Sequence, residues 1–94
     1  DIYSANKVVG EKYVIIYSRA YDLNTCVIRL PNTFGPRAAI HSPHYTFNNY
    51  FIGLALQGKD ITVFKPGEQL RNVIYIEDAI LALILAAEST QSST

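Results

Sequence analysis

The sequence predicts an α/β fold, and within that class the later half of a domain. Two observations carry this expectation. Segments with helical spacing alternate with short β-branched runs in the order helix, strand, helix, strand, strand, helix. Apolar residues make up 49% of the 94 positions, and they cover more sides of the helical segments than one small domain can bury.

The first helix is predicted over Tyr3 to Tyr21, a stretch without proline in which Val9, Tyr13, Ile16 and Ala20 recur by threes and fours. Asp22-Leu23-Asn24 breaks it. Thr25 to Leu30 reads as a buried strand because Cys26-Val27-Ile28 is short, apolar and partly β-branched. Pro31 ends that strand, and Asn32 to His44, with Gly35-Pro36 and Pro43, reads as a loop. Tyr45 to Leu56 is the second helix, with Gly58 where a terminator belongs. Ile61-Thr62-Val63-Phe64 reads as a strand, Lys65 to Glu68 as a turn and Asn72 to Ile76 as a further short strand. Glu77 and Asp78 then supply acidic side chains to the first turn of a last helix, where its dipole favours them. The Ser/Thr/Gln tail from Ser89 onward is expected to fray.

Composition excludes several partners. Eight basic and eight acidic residues cancel, and neither sign is clustered. The basic patch that a nucleic acid or an anionic membrane requires is therefore missing, and neither is expected as a partner. The single cysteine, Cys26, is expected to be a buried, reduced thiol of a cytoplasmic protein. His41 and His44 share a loop with no third ligand, so no metal site is expected. The start of the chain carries no basic-then-apolar leader. The apolar run Ala79 to Ala87 is shorter than the roughly 20 residues that span a bilayer. Apolar on every side, it is expected to pack in an interior or an interface.

The chemistry concentrates at Tyr3 and Lys7, which a helix places on one face. A tyrosine hydroxyl with a pKa of about 10 is a poor base at neutral pH. A neighbouring ammonium stabilises the phenolate, which makes the pair a candidate proton acceptor and donor for a sugar hydroxyl. The same ammonium can donate to the hydroxyls of a nucleotide ribose.

Tyr3-Ser4-Ala5-Asn6-Lys7, with Glu11 one turn on, resembles the active-site helix of the extended short-chain dehydrogenase/reductases, and more narrowly of their NAD-dependent sugar-nucleotide epimerase/dehydratase branch. Arg29-Leu30-Pro31-Asn32-Thr33-Phe34-Gly35-Pro36-Arg37 is similar to that branch's Arg-x-x-Asn-x-aromatic-Gly-Pro-Arg segment. Ala55 to Phe64, then Gln69-Leu70-Arg71 and Tyr75-Ile76-Glu77-Asp78, resemble its nucleotide-binding end. The resemblance runs from Tyr3 to about Ala87. It implies a partial Rossmann-like domain (the later half) joined to part of a small substrate-binding domain. Residues 1 to about 37 would hold the catalytic helix and the following strand, and about 38 to 94 the sugar-nucleotide portion.

The same resemblance implies the site. Tyr3 and Lys7 are the expected catalytic residues, and with Pro31 they would face NAD or NADP. Asn32, Phe47, Asn48, Phe64 and Arg71 are expected to bind a nucleoside-diphosphate sugar, with Arg71 holding the diphosphate and Phe64 packing on the base. Two positions depart from the family pattern at the rim of the nucleotide site. Lys65-Pro66 stands where a small, glycine-rich turn is usual, and Asn72 where an aspartate is common. No G-x-x-G-x-x-G or G-x-G-x-x-G loop is present for the cofactor's pyrophosphate, so the chain is expected to be a fragment lacking the NAD-binding half and to bind no cofactor alone.

The expected function is thus part of an NAD-dependent epimerase or dehydratase acting on nucleotide sugars, assembled as a homodimer or higher oligomer. The alternative is a catalytically inactive, truncated product that persists as an oligomerising interaction module. A reductase acting on uncharged substrates is disfavoured, because Arg71 would be left without an anion.

Overall fold

A computed structural model of the chain describes residues 1–89, and the expected fraying of the tail beyond Ser89 lies outside them. The elements follow as α1 (Ile2–Tyr21), β1 (Asn32–Phe34), α2 (Phe47–Leu56), β2 (Val73–Tyr75) and α3 (Ile76–Glu88). The architecture is the expected mixed α/β one, with three helices and a small parallel sheet. Two compact units divide the chain. One comprises Asp1–Arg29 with Ala82–Thr94, the other Leu30–Leu81.

In the first unit, α1 spans 20 residues, about 30 Å at the helical rise. Asp1 caps its start, accepting a hydrogen bond from the Ser4 amide at 2.7 Å. Asp22 closes its end in the left-handed region at φ 52°. There the Leu23 amide donates to the Ser18 carbonyl at 3.0 Å, and Ser18 Oγ donates to the Leu23 carbonyl at 2.7 Å. The polar break read from the sequence is therefore a hydrogen-bonded helix terminator. No residue of α1 is buried, so the stripe of Val9, Tyr13 and Ile16 faces solvent.

In the second unit, β1 and β2 pair in parallel, with Asn32 opposite Val73, Thr33 opposite Ile74 and Phe34 opposite Tyr75. The Phe34 and Tyr75 rings meet at 5.5 Å. Helix α2 packs on β1 and is tied there by Asn49, whose Nδ2 donates to the Thr33 carbonyl at 3.1 Å and to Thr46 Oγ1. Glycines permit two close approaches. Gly35, at φ 149°, lies where a Cβ would stand 2.4 Å from Ile76, and one on Gly53 would stand 2.3 Å from the Ile40 carbonyl oxygen. At the end of α2, Gly58 adopts φ 64° and the Lys59 amide reaches back to the Leu54 carbonyl at 2.9 Å.

Several expectations need correction. No strand forms over residues 25–30, where Cys26 alone makes a single bridge; the described ladder begins instead at Asn32, inside the expected loop, where the chain lies beside residues 73–75. Residues 61–64 are likewise not a strand; the turn after them folds back, and a Cβ on Gly67 would sit 3.2 Å from Val63. The second helix starts at Phe47, with Thr46 as its N-cap. Cys26 is exposed rather than buried. In α3 only Ala79 is buried, while Ile80, Leu81, Leu83, Ile84 and Leu85 remain open. No described helix is long and apolar enough to cross a membrane.

Candidate functional site

Tyr3 and Lys7 sit one turn apart near the start of α1, and the Lys7 ammonium lies over the Tyr3 ring, 5.4 Å from its centroid. That is cation–π distance. Tyr3 is 69% exposed, so its hydroxyl is open to a ligand. Farther along the same unit, Glu11 and Arg29 form a bidentate pair, with both N···O distances 2.7 Å. Arg29 is largely exposed at 81% and Glu11 mostly covered at 24%. The guanidinium's hydrogen bond holds the Glu11 carboxyl below its ordinary value of 4.5 and raises Arg29 in turn. Sequence reading placed both residues in motifs but did not join them. The opposite charges of two motif residues were the available signal.

In the second unit, α2 and the 60–71 segment line an open cavity of about 890 Å³. Phe47, Phe64 and Arg71 all line it. Phe47 is fixed edge-on against Phe51, ring centroids 5.7 Å apart. Phe64 is 87% exposed, so its ring face is free for a ligand rather than used in a core. Asp60, Lys65 and Glu68 line the same cavity. None of these three, nor Arg71, is in an ion pair; among the described residues the pair is Glu11–Arg29.

Asn48 and Asn32 belong to this unit without lining the cavity. Both amide atoms of the Asn48 side chain are enclosed and lack a hydrogen-bond partner, a costly state for a polar group. Its neighbour Asn49, 6% exposed, makes the bonds to Thr33 and Thr46, a structural role that sequence reading missed. Asn32 opens β1, and Pro31 immediately precedes it. No group of three or more His, Cys, Asp or Glu side chains able to hold a metal occurs among the described residues.

For a dinucleotide, the residues present fit one end only. Lys7 is exposed beside Tyr3, where its ammonium can reach ribose hydroxyls. The sequence contains no glycine-rich loop for a pyrophosphate.

Comparison with known proteins gives the same direction. UDP-glucuronic acid decarboxylase 6 of Arabidopsis thaliana is 34% identical over 90 residues, covering 96% of this chain and 26% of that protein. UDP-glucose 4-epimerase of Mycolicibacterium smegmatis is 31% identical over 84 residues, or 89% and 26%. The dTDP-glucose 4,6-dehydratase of Salmonella typhimurium is 33% identical over 81 residues, or 86% and 21%. The chain thus spans about a quarter of the length of the curated relatives it matches. The model of the NAD dependent epimerase/dehydratase family matches residues 1–94, and the chain belongs to that family.

Proposed function

We propose that this chain is the Tyr-Lys and nucleotide-sugar-binding part of an enzyme that uses NAD or NADP to transform a nucleoside-diphosphate sugar. The observation that carries the proposal is the cavity of about 890 Å³, into which α2 and the 60–71 segment bring Phe47, Phe64 and Arg71. A planar base, a charge-assisted diphosphate contact and a sugar are the ligand parts such a lining suits. Asn48, which lies outside the cavity lining, would stand near the base and ribose on the family resemblance alone. Asn32 would donate to a diphosphate oxygen, and Pro31 would stand on the nicotinamide side.

Tyr3 takes the proton from a sugar hydroxyl, at carbon 4, and Lys7 holds the phenolate and the cofactor ribose. A bound NAD would supply the hydride acceptor for that carbon. The ketone acidifies the neighbouring carbon, after which epimerisation, loss of water or decarboxylation becomes accessible. Residues 1 to about 37 serve the chemical step in this reading, and about 38 to 94 hold the nucleotide.

The test is residue-resolved. Titration of the isotope-labelled chain with UDP-glucose, followed by NMR, is expected to shift the resonances of Phe47, Phe64 and Arg71. Shifts confined to residues outside the cavity, or none at all, would sink the proposal.

A second reading is favoured by one observation, the open apolar positions along α1, among them Tyr13, Ile16, Tyr17 and Tyr21. On this reading the chain works in the cytoplasm as a homodimer or larger assembly, with that face as the contact. Sedimentation as a monomer at high micromolar concentration would remove it.

A further inference from the structure

The charges around the cavity carry an inference beyond the family pattern. It rests on the nucleotide-sugar reading and concerns how the diphosphate is held. Four charged side chains line the cavity: Asp60 and Glu68, Lys65 and Arg71. None is in an ion pair with another or with any other described residue, so all four charges are available to a ligand. The balance is decisive. Against the two carboxylates, Arg71 alone would leave a lining of net negative charge, which repels a diphosphate. Lys65 brings the lining to neutrality.

Place matters as much as number. Lys65 lies in the turn at residues 65–66, and Phe64 before it and Gly67 after it also line the cavity. The fold-back that brings Gly67 against Val63 keeps this turn at the cavity wall. A lysine there is a compact point charge on a flexible stem, able to follow a phosphate oxygen without a fixed fork.

We propose that Lys65 is a second phosphate-binding cation that shares the diphosphate with Arg71, so that this cavity selects a nucleoside diphosphate over a monophosphate by two cations. Arg71 fixes the geometry of one phosphate through its planar guanidinium. Lys65 supplies the charge that offsets Asp60 and Glu68.

The experiment is calorimetric titration of the 94-residue chain with uridine 5′-diphosphate and uridine 5′-monophosphate, at low and at physiological ionic strength. The unaltered chain is expected to prefer the diphosphate, with the preference shrinking as salt screens it. Lys65→Gln is expected to lower diphosphate affinity by about three- to tenfold, the worth of a charged contact reduced by solvent, and to lower monophosphate affinity less. Lys65→Arg is expected to restore most of the loss. If Lys65→Gln keeps the full diphosphate preference while Arg71→Ala lowers it, the role of Lys65 is overturned and the nucleotide reading stands. Equal losses in Lys65→Gln and Lys65→Arg also overturn it, since charge would not be the cause. Absence of any diphosphate preference in the unaltered chain overturns both readings together.

Discussion

Tyr3 and Lys7 owe their adjacency to one continuous helix, whereas Phe47, Phe64 and Arg71 meet because separate stretches of the chain close around one cavity. The first arrangement needs only helical periodicity and two good ends, which Asp1 and Asp22 supply. The second needs α2 to sit on β1 through Asn49 and the loop at Ile40 to pass close over Gly53. The adjacency of two side chains can therefore be encoded locally, while the lining of a cavity is encoded by packing. The two should fail under different substitutions.

Tyr3→Phe gives the largest expected effect. In the enzyme that carries this chain, turnover should fall about 10²–10⁴-fold, the usual worth of a positioned acid–base group. Nucleotide-sugar affinity should hardly move, because the ring keeps its shape. Steady-state kinetics separate the two, and unchanged turnover would mean that the Tyr3–Lys7 adjacency is incidental.

Arg71→Ala should do the reverse. In its proposed role the contact would be made in ground and transition states alike, so binding should weaken by roughly ten- to a hundredfold, about 1.5–3 kcal/mol for one charged bond. Lysine at position 71 should restore only part, lacking the fork. A turnover defect without a binding defect, seen by the same kinetics, would erase the distinction between the two regions.

Asn49→Ala probes the packing itself. Losing a buried amide that bonds Thr33 and Thr46 should cost about 1–3 kcal/mol, read as a lower unfolding midpoint. NMR signals of the cavity lining should change, and those of α1 should not. Equal disturbance of both would show that the two regions are not independently encoded.

The smallest effect is on acid stability. Glu11 has a folded pKa below 4.5 because of Arg29. Its contribution is therefore fully present above that value and is lost as pH falls through the lowered one. Glu11→Gln should flatten this part of the stability profile in acid titrations followed by circular dichroism, with little change near neutrality.

What could be read from the sequence follows the same division. Helix α1, the break after it, the start of α3 and the adjacency of Tyr3 with Lys7 depend on near neighbours, and their residues announced them. The strand expected over Asn72 to Ile76 formed as Val73–Tyr75, but its partner was not announced. Residues 61–64 have better strand composition than Asn32-Thr33-Phe34, but a ladder forms only where two stretches lie side by side, and residues 73–75 lie beside 32–34. Asn49 was passed over for the same reason, since its partners on β1 are brought to it by folding. The charges around the cavity could be listed from the sequence; that four of them line one cavity without pairing could not.

The parallel ladder also has a kinetic meaning. Asn32 pairs with Val73, 41 positions on, and only three residues on each side gain ladder bonds. Closing so long a loop costs about 3 kcal/mol in chain entropy before any pair forms, whereas each α1 bond spans four residues. Helix α1 can therefore form on the microsecond scale of helix–coil exchange, while the sheet waits for a rare encounter of distant segments. During that interval α1 is already formed while the second unit still lacks its sheet, so the ladder sets the pace at which that unit is completed.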